Sequence, residues 1–388
     1  MRHFDHLAGA DRRRLFHRAP EPFDRDDPLD VLAAALGATL YCPATRPRLA
    51  GDVAAGARGG VASMVICLED AIADTEVTAA EQNLVAQLRE LHTTGAEGAP
   101  LLFVRVRAPG QISDLADRLG PALGMLTGFV LPKFAADHGG TFLDAVARAE
   151  ERTGRRLAVM PVIESRDAAH RETRLGTLLD TGRLLAKHRE RVLAVRLGGT
   201  DLCAAFGLRR PPDLTVYDLH PVAAAIADII DVLGSADGTG FAVTGPVWEY
   251  FSSETRAFKP HARRPHAAPA SPLQGVVGAE LDGLIREAYL DKANGLVGKT
   301  VIHPSHVAPV HALQVVTHEE YSDAADVLGA PGGGAMASGY ANKMNEVGPH
   351  RAWAERLMSR ARLFGVAAPD VSFADLLKAA QQAAAPTD

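Results

Sequence analysis

The chain has 388 residues, 47% hydrophobic and 23% charged, with 36 Gly and 24 Pro. That is enough apolar material for a sizeable core, and the length allows two or three domains of roughly 150 residues or one large α/β barrel with extensions. The 41 Lys and Arg against 47 Asp and Glu leave a formal charge of −6, so the molecule as a whole has no attraction for nucleic acid or an anionic membrane.

No apolar run reaches the roughly 18 residues of a membrane span. The opening Met1-Arg2-His3-Phe4-Asp5-His6 lacks the apolar centre of a signal peptide. Cys42, Cys67 and Cys203 are isolated, without a CxxC pair, which fits a reducing compartment rather than a disulfide scaffold. A cytoplasmic enzyme is expected.

Residues 1–36 hold one short predicted helix, Leu29–Leu36, after an Arg-rich stretch, and are expected to plug the lower face of the main domain. Eight β-rich apolar runs come next: Thr39–Pro43, Met64–Leu68, Leu101–Val106, Gly128–Pro132, Leu157–Ile163, Val192–Leu197, Gly240–Gly245 and Leu296–Ile302. Most are continuous rather than alternating, as parallel strands buried on both faces require. Helical spacing lies between them: Val77, Ala80, Leu84, Leu88 and Leu91; then Leu219, Val222, Ile226, Ile229 and Leu233; then Val277, Leu281, Leu284 and Ala288. The order predicts an α/β fold, a (β/α)8 TIM barrel with an N-terminal helical segment and a C-terminal helical extension. An open doubly wound sheet would carry a G-x-G-x-x-G turn, and the glycines from Gly51 to Gly60 lack that spacing.

Between strands seven and eight, residues 251–272 form a long insert with Arg256, Lys259, His261, Arg263, Arg264 and His266; a solvated loop is favoured over a lid. The barrel domain is placed at 1–316. The remainder, 317–388, is read as the helical extension, with a flexible run Gly329–Gly334 and a last helix carrying Trp353, Leu357, Ala361 and Phe364 on one face. That apolar stripe offers a surface for a homo-oligomer.

Active sites of such barrels form where the strands end. Those ends carry Thr45 and Arg46; Glu69 and Asp70; Arg105 and Arg107; Lys133; Glu164 and Ser165; Gly198-Gly199-Thr200-Asp201; Pro246 and Trp248; and His303. Glu164 and Asp201 end consecutive strands, and two hard oxygen ligands suit Mg²⁺; the alternative is that each caps a helix or pairs with an arginine. Zinc is disfavoured, since no His/Cys cluster has ligand spacing. Arg105 lies inside an apolar run, so it must meet either a substrate carboxylate or an internal acid such as Glu69 or Asp70. Lys133 is either an imine-forming nucleophile or, more simply, a cation paired with Glu69 or Glu164. His303 is as readily structural as catalytic.

These segments resemble the citrate lyase β-subunit (HpcH/HpaI aldolase) family. The residues concerned are Tyr41-Cys42-Pro43-Ala44-Thr45-Arg46-Pro47, Leu68-Glu69-Asp70-Ala71, Val104-Arg105-Val106, Leu131-Pro132-Lys133, Ile163-Glu164-Ser165, Gly199-Thr200-Asp201 and Ile302-His303-Pro304. They run in the family's order from about residue 39 to 310. The resemblance implies a Mg²⁺-dependent barrel, with Mn²⁺ as the alternative ion, that breaks or forms a carbon–carbon bond beside a carboxylate. It implies Glu164 and Asp201 as metal ligands, Arg105 as the carboxylate clamp, Glu69 and Asp70 as acids near the metal's water, and Arg46 as a rim arginine facing substrate.

Gly199 and Thr200 would then line the substrate, a small 2-oxo or 2-hydroxy acid or its coenzyme A thioester. The proton-transfer group is open between Asp70, a metal-bound water and Glu346 of the extension. The chain departs from the family at Arg107, where Asn is frequent, at Gly-Gly-Thr-Asp, which lacks the usual acid before the aspartate, and in its insert and extension. The rival readings are a metal-independent aldolase using Lys133 and a non-catalytic barrel subunit.

Overall fold

Each of the eight apolar runs forms a parallel strand in the computed structural model, which describes residues 1–95, 98–251 and 279–384. The strands are β1 (Ala38–Pro43), β2 (Ser63–Cys67), β3 (Leu101–Arg105), β4 (Gly128–Leu131), β5 (Ala158–Ile163), β6 (Val195–Leu197), β7 (Val243–Trp248) and β8 (Lys299–Val301). Each bonds to the next, and β8 returns to β1 with Leu40 opposite Val301, closing a (β/α)8 barrel.

The continuous apolar character of the strands comes from this closure. Met64, Ile66, Leu102, Val104, Phe129 and Leu131 point outward into one core shared with the surrounding helices. Val65, Phe103, Val130 and Met160 point inward into a second core. Both faces of every strand are therefore dry, and period-2 alternation of polar residues has no place.

Three strands depart from their predicted bounds by three residues, the eighth beginning at Lys299 rather than Leu296. The seventh begins at Val243 rather than Gly240 and runs through Gly245 and Pro246 to Trp248. A Cβ at Gly245 would stand 2.5 Å from Asp291 Oδ2, so this glycine serves close packing inside a strand rather than a turn. The sixth is ordered only over Val195–Leu197, with Val192 contributing an isolated bridge to Val159. Gly51 to Gly60 fall in and just after the helix Leu49–Arg58, which removes the doubly wound alternative. The helices read from spacing form as Val77–Thr94, His220–Leu233 and Ala279–Ala293, with Val277 of the third lying outside the described residues.

The inner core continues downward out of the barrel. Phe4, Leu7, Leu15, Phe16, Phe23, Leu32 and Leu36 of the N-terminal segment join it, as do Leu363, Phe364, Leu376 and Leu377 from the other end of the chain. A short strand, Phe16–Arg18, pairs antiparallel with Val366–Ala367. The lower face is thus plugged by both ends together.

The apolar stripe of the helix Val347–Phe364 is not a free surface. Leu357 and Ala361 are buried against Val316, Ala324 and Val327, and Phe364 stacks on His3 at 3.9 Å; only Trp353 remains 40% exposed. The stripe closes the protein on itself, so it gives no ground for a homo-oligomer. The extension also holds a hairpin, Ala335–Ala337 with Met344–Glu346, which helical spacing alone does not reveal. Of the basic insert, only Phe251 is described, stacked on His303 at 5.0 Å; Arg256 through His266 lie outside the described residues. Among the described residues no helix is long and apolar enough to cross a membrane.

Candidate active site

Arg105 is the last residue of β3 and points into the barrel mouth. Its Nη2 meets Glu69 Oε2 at 2.7 Å, Glu164 Oε1 at 2.8 Å and Asp70 Oδ2 at 3.2 Å. The apolar run that forces this arginine inside therefore delivers it to three acids from two strand ends, those of β2 and β5. Its Nε is buried without a partner, so the acids do not saturate the fork.

Lys133 completes the cluster from the end of β4. Nζ donates to Glu69 Oε1 at 2.6 Å and reaches Asp70 Oδ1 at 3.5 Å, while its backbone N–H donates to Glu164 Oε1 at 2.9 Å. The backbone there has φ 48°, a left-handed conformation that costs a residue with a Cβ roughly 1–2 kcal/mol and tends to persist at functional sites. Burial alone would push the Lys133 ammonium down, but Glu69 outweighs it and holds the group above the usual lysine range.

The carboxylates are held apart in character by position. Burial pushes Glu164 up to about 7, opposed by Arg105 and reinforced by Asp201. Burial and the adjoining Asp70 also raise Glu69. For Asp70 burial acts upward too, but the hydrogen bond with Glu69 and the charges of Arg105 and Lys133 bring it below the usual range.

Asp201 sits in the first turn of the short helix Gly199–Ala204. It is felt electrostatically by Lys133 and Glu164 and forms no ion pair among the described residues. Gly198 is what lets β6 come this close: a Cβ there would stand 2.2 Å from Glu164 Cβ. Four carboxylates thus face two cations, a formal excess of two negative charges at the mouth. Among the described residues no three His, Cys, Asp or Glu side chains are grouped to hold a metal ion.

Other expected site residues are placed differently. Arg46 is exposed at the rim and its Nε binds Asp52 Oδ2 at 2.7 Å, apart from the cluster. Gly199 is buried, and a Cβ on it would meet Pro246 at 2.8 Å. Thr200 is exposed and donates to Glu249 Oε1 at 2.7 Å. Glu346 lies on the hairpin of the extension, where its backbone N–H donates to His350 Nδ1 at 3.0 Å. His303 turns its Nδ1 to Ser305.

The role of Arg107, and Arg196 altogether, went unread in the sequence. Arg107 spends its guanidinium on the carbonyls of Leu68, Glu69 and Ile72 at 2.6, 3.1 and 3.0 Å and on Asp74 at 2.5 Å, so it clamps the loop that carries Glu69 and Asp70. Arg196, in the apolar run of β6, is 1% exposed inside the barrel beside Tyr41. The signal for Arg196 was the one that exposed Arg105: a cation within an apolar strand.

A closed parallel barrel with acids and a guanidinium converging at the carboxyl ends of its strands defines a TIM-barrel enzyme. The family model described as carbon–carbon bond lyase of the TIM-barrel fold matches residues 30–366, and the chain belongs to that family; it is a carbon–carbon lyase.

No curated protein matches the sequence. Among solved structures, CitE from Mycobacterium tuberculosis in complex with magnesium, acetoacetate and coenzyme A is 22% identical, with 85% of this chain and 99% of that one covered and a TM-score of 0.52. The Haloferax volcanii malate synthase lead(II) complex is 17% identical over 70% of this chain and 71% of that one, with a TM-score of 0.50. At these identities the likeness is one of fold.

Proposed function

We propose that the protein is a Mg²⁺-dependent lyase that cleaves or forms a carbon–carbon bond beside the carboxylate of a small 2-oxo or 2-hydroxy acid, or of its acyl thioester. The observation that carries this reading is the charge imbalance at the mouth. Among the described residues Glu69, Asp70, Glu164 and Asp201 face Arg105 and Lys133, and a divalent cation would cancel the excess.

The donor set fits that ion. Glu164 and Asp201 repel one another, both are hard oxygen donors, and Mg²⁺ takes one or two carboxylates and completes its octahedron with water and substrate oxygen. Mn²⁺ would be accepted by the same donors. When bound, the ion supplies Lewis-acid polarisation of a carbonyl and stabilises negative charge on the adjoining oxygen.

The chain's own residues do the rest. Arg105 is held at one edge by its three acids and keeps an unpartnered Nε, so a substrate carboxylate completes its fork and is aligned by it. Lys133 is kept protonated by Glu69 and steadies Glu69 and Asp70 through Nζ. A protonated lysine in this pairing is a poor imine-forming nucleophile, which speaks against the metal-independent alternative. The intact acid cluster speaks against a barrel without chemistry. An acyl thioester stays within the reading because CitE, of like fold, was crystallised with coenzyme A.

Calorimetric titration of Mg²⁺ into wild type, Glu164→Ala and Asp201→Asn tests the assignment. Binding by wild type and its loss in both variants is expected. Unchanged titration curves remove the two ligands and, with them, the proposal.

A further inference from the structure

Two polar residues below the mouth take no part in the cluster above them. The guanidinium of Arg196 (β6) lies inside the barrel with its Cζ 5.5 Å from the centroid of the Tyr41 ring (β1). It also donates to Thr300 Oγ1 of β8 and approaches Met160 Sδ of β5 at 3.5 Å. No carboxylate pairs with it among the described residues. The other buried cations differ: Lys299 meets Glu287 and Asp291, Arg210 meets Glu287, and Arg174 meets Asp228.

An uncompensated buried guanidinium is costly, and an apolar residue of similar size would fill the space at less cost. Its persistence calls for a role that the packing does not supply. Tyr41 is half-buried at the edge of the inner core and lies within the electrostatic reach of Arg196, Arg105, Glu164 and Cys67. It is the phenol within electrostatic reach of two guanidinium groups, whereas Asp70 is held ionised and Glu346 lies on the hairpin of the extension.

We infer that the Tyr41 hydroxyl, backed by Arg196, is the proton donor to the carbon released as an enolate when the substrate's carbon–carbon bond breaks. This rests on the lyase reading above and assigns the proton-transfer group that reading leaves open. In the step the enolate's carbon–carbon π pair forms the new C–H bond with the tyrosine proton and the carbonyl is restored. The phenolate left on Tyr41 faces Arg196 and regains its proton from solvent. In the condensing direction the same group removes that proton. Arg196 acts through Tyr41 and is a positioning residue.

The test uses the full chain with Mg²⁺ and pyruvate as the probe, and monitors exchange of the methyl protons with D2O by NMR. Tyr41→Phe is expected to slow exchange about a hundredfold while Mg²⁺ and pyruvate affinities, measured by calorimetry, stay unchanged. Arg196→Met is expected to slow exchange comparably without lowering the thermal midpoint, and Arg196→Lys to restore most of it. Exchange at the wild-type rate in Tyr41→Phe overturns the inference and leaves the lyase reading standing. A lysine variant as slow as the methionine variant, or a methionine variant that only melts earlier, overturns the part given to Arg196. Absence of Mg²⁺-dependent exchange in the wild type overturns both readings together.

Discussion

The backbone N–H of Lys133 donates to Oε1 of Glu164 at 2.9 Å from a left-handed residue. One residue therefore serves two acids, Glu164 through its main chain and Glu69 through its ammonium. The two functions separate by mutation. Lys133→Ala and Lys133→Gly both discard the ammonium, but only glycine relieves the backbone. The glycine variant should be the more stable by about 1 kcal/mol in urea unfolding, with activity low in both. Equal midpoints would mean the conformation carries no strain.

Gly198 offers a way to move Glu164 without touching it. An alanine Cβ would lie 2.3 Å from Glu164 Oε2, which no real contact tolerates. Gly198→Ala should weaken Mg²⁺ binding about 10–100-fold, the range seen when the supports of metal ligands are disturbed, and calorimetry reads this directly. Retained affinity would show that Glu164 can bind metal from another rotamer.

Arg107 holds three carbonyls of the loop after β2 with a planar fork. Lysine cannot reproduce that geometry. Arg107→Lys and Arg107→Ala should each cost about 1–3 kcal/mol and should lower kcat, because Glu69 and Asp70 lose their placement. Chemical denaturation together with steady-state rates checks both. A lysine variant with wild-type kcat would reduce Arg107 to a surface ion pair.

Buried imidazoles at the base make stability depend on acid. Burial pushes His3 from 6.5 down to about 3, and His311 beside it is driven well below its ordinary value. Below pH 6.5 the unfolded chain takes up protons that the folded chain refuses. Stability is therefore complete above that pH and declines as pH falls through the window toward 3. Calorimetric melts from about pH 7.5 to about pH 5 should show the decline, and His3→Phe, which keeps the stack on Phe364, should flatten it. Identical slopes in the two proteins would assign the acid sensitivity to other groups.

The barrel was legible because burial on both faces leaves long apolar runs, and each run named a strand. Its rim was legible because charged residues after buried strands have few places to go. Arg105 shows how far that reasoning reaches: the apolar run required a partner, and the choice between a substrate and Glu69 or Asp70 needed coordinates. For Arg46, rim position alone does not say where a long side chain turns, and here Asp52, six residues on, takes it. The Trp353, Leu357 and Phe364 stripe was visible as a stripe, but its cover, the N-terminal segment and the helix His318–Gly329, is remote in sequence. Strand seven was misplaced because Gly245 and Pro246 carry turn chemistry locally, while their job is to admit Asp291 and line Gly199.

The pairing of Phe16–Arg18 with Val366–Ala367 fixes an order of assembly. Phe16–Arg18 leaves the ribosome ahead of the barrel strands yet must wait for its partner, which emerges only after all eight staves have been made. Until then the underside of the cylinder presents Val65, Phe103 and Met160 to whatever meets it, and a chaperone that shields such a patch would be needed most late in synthesis.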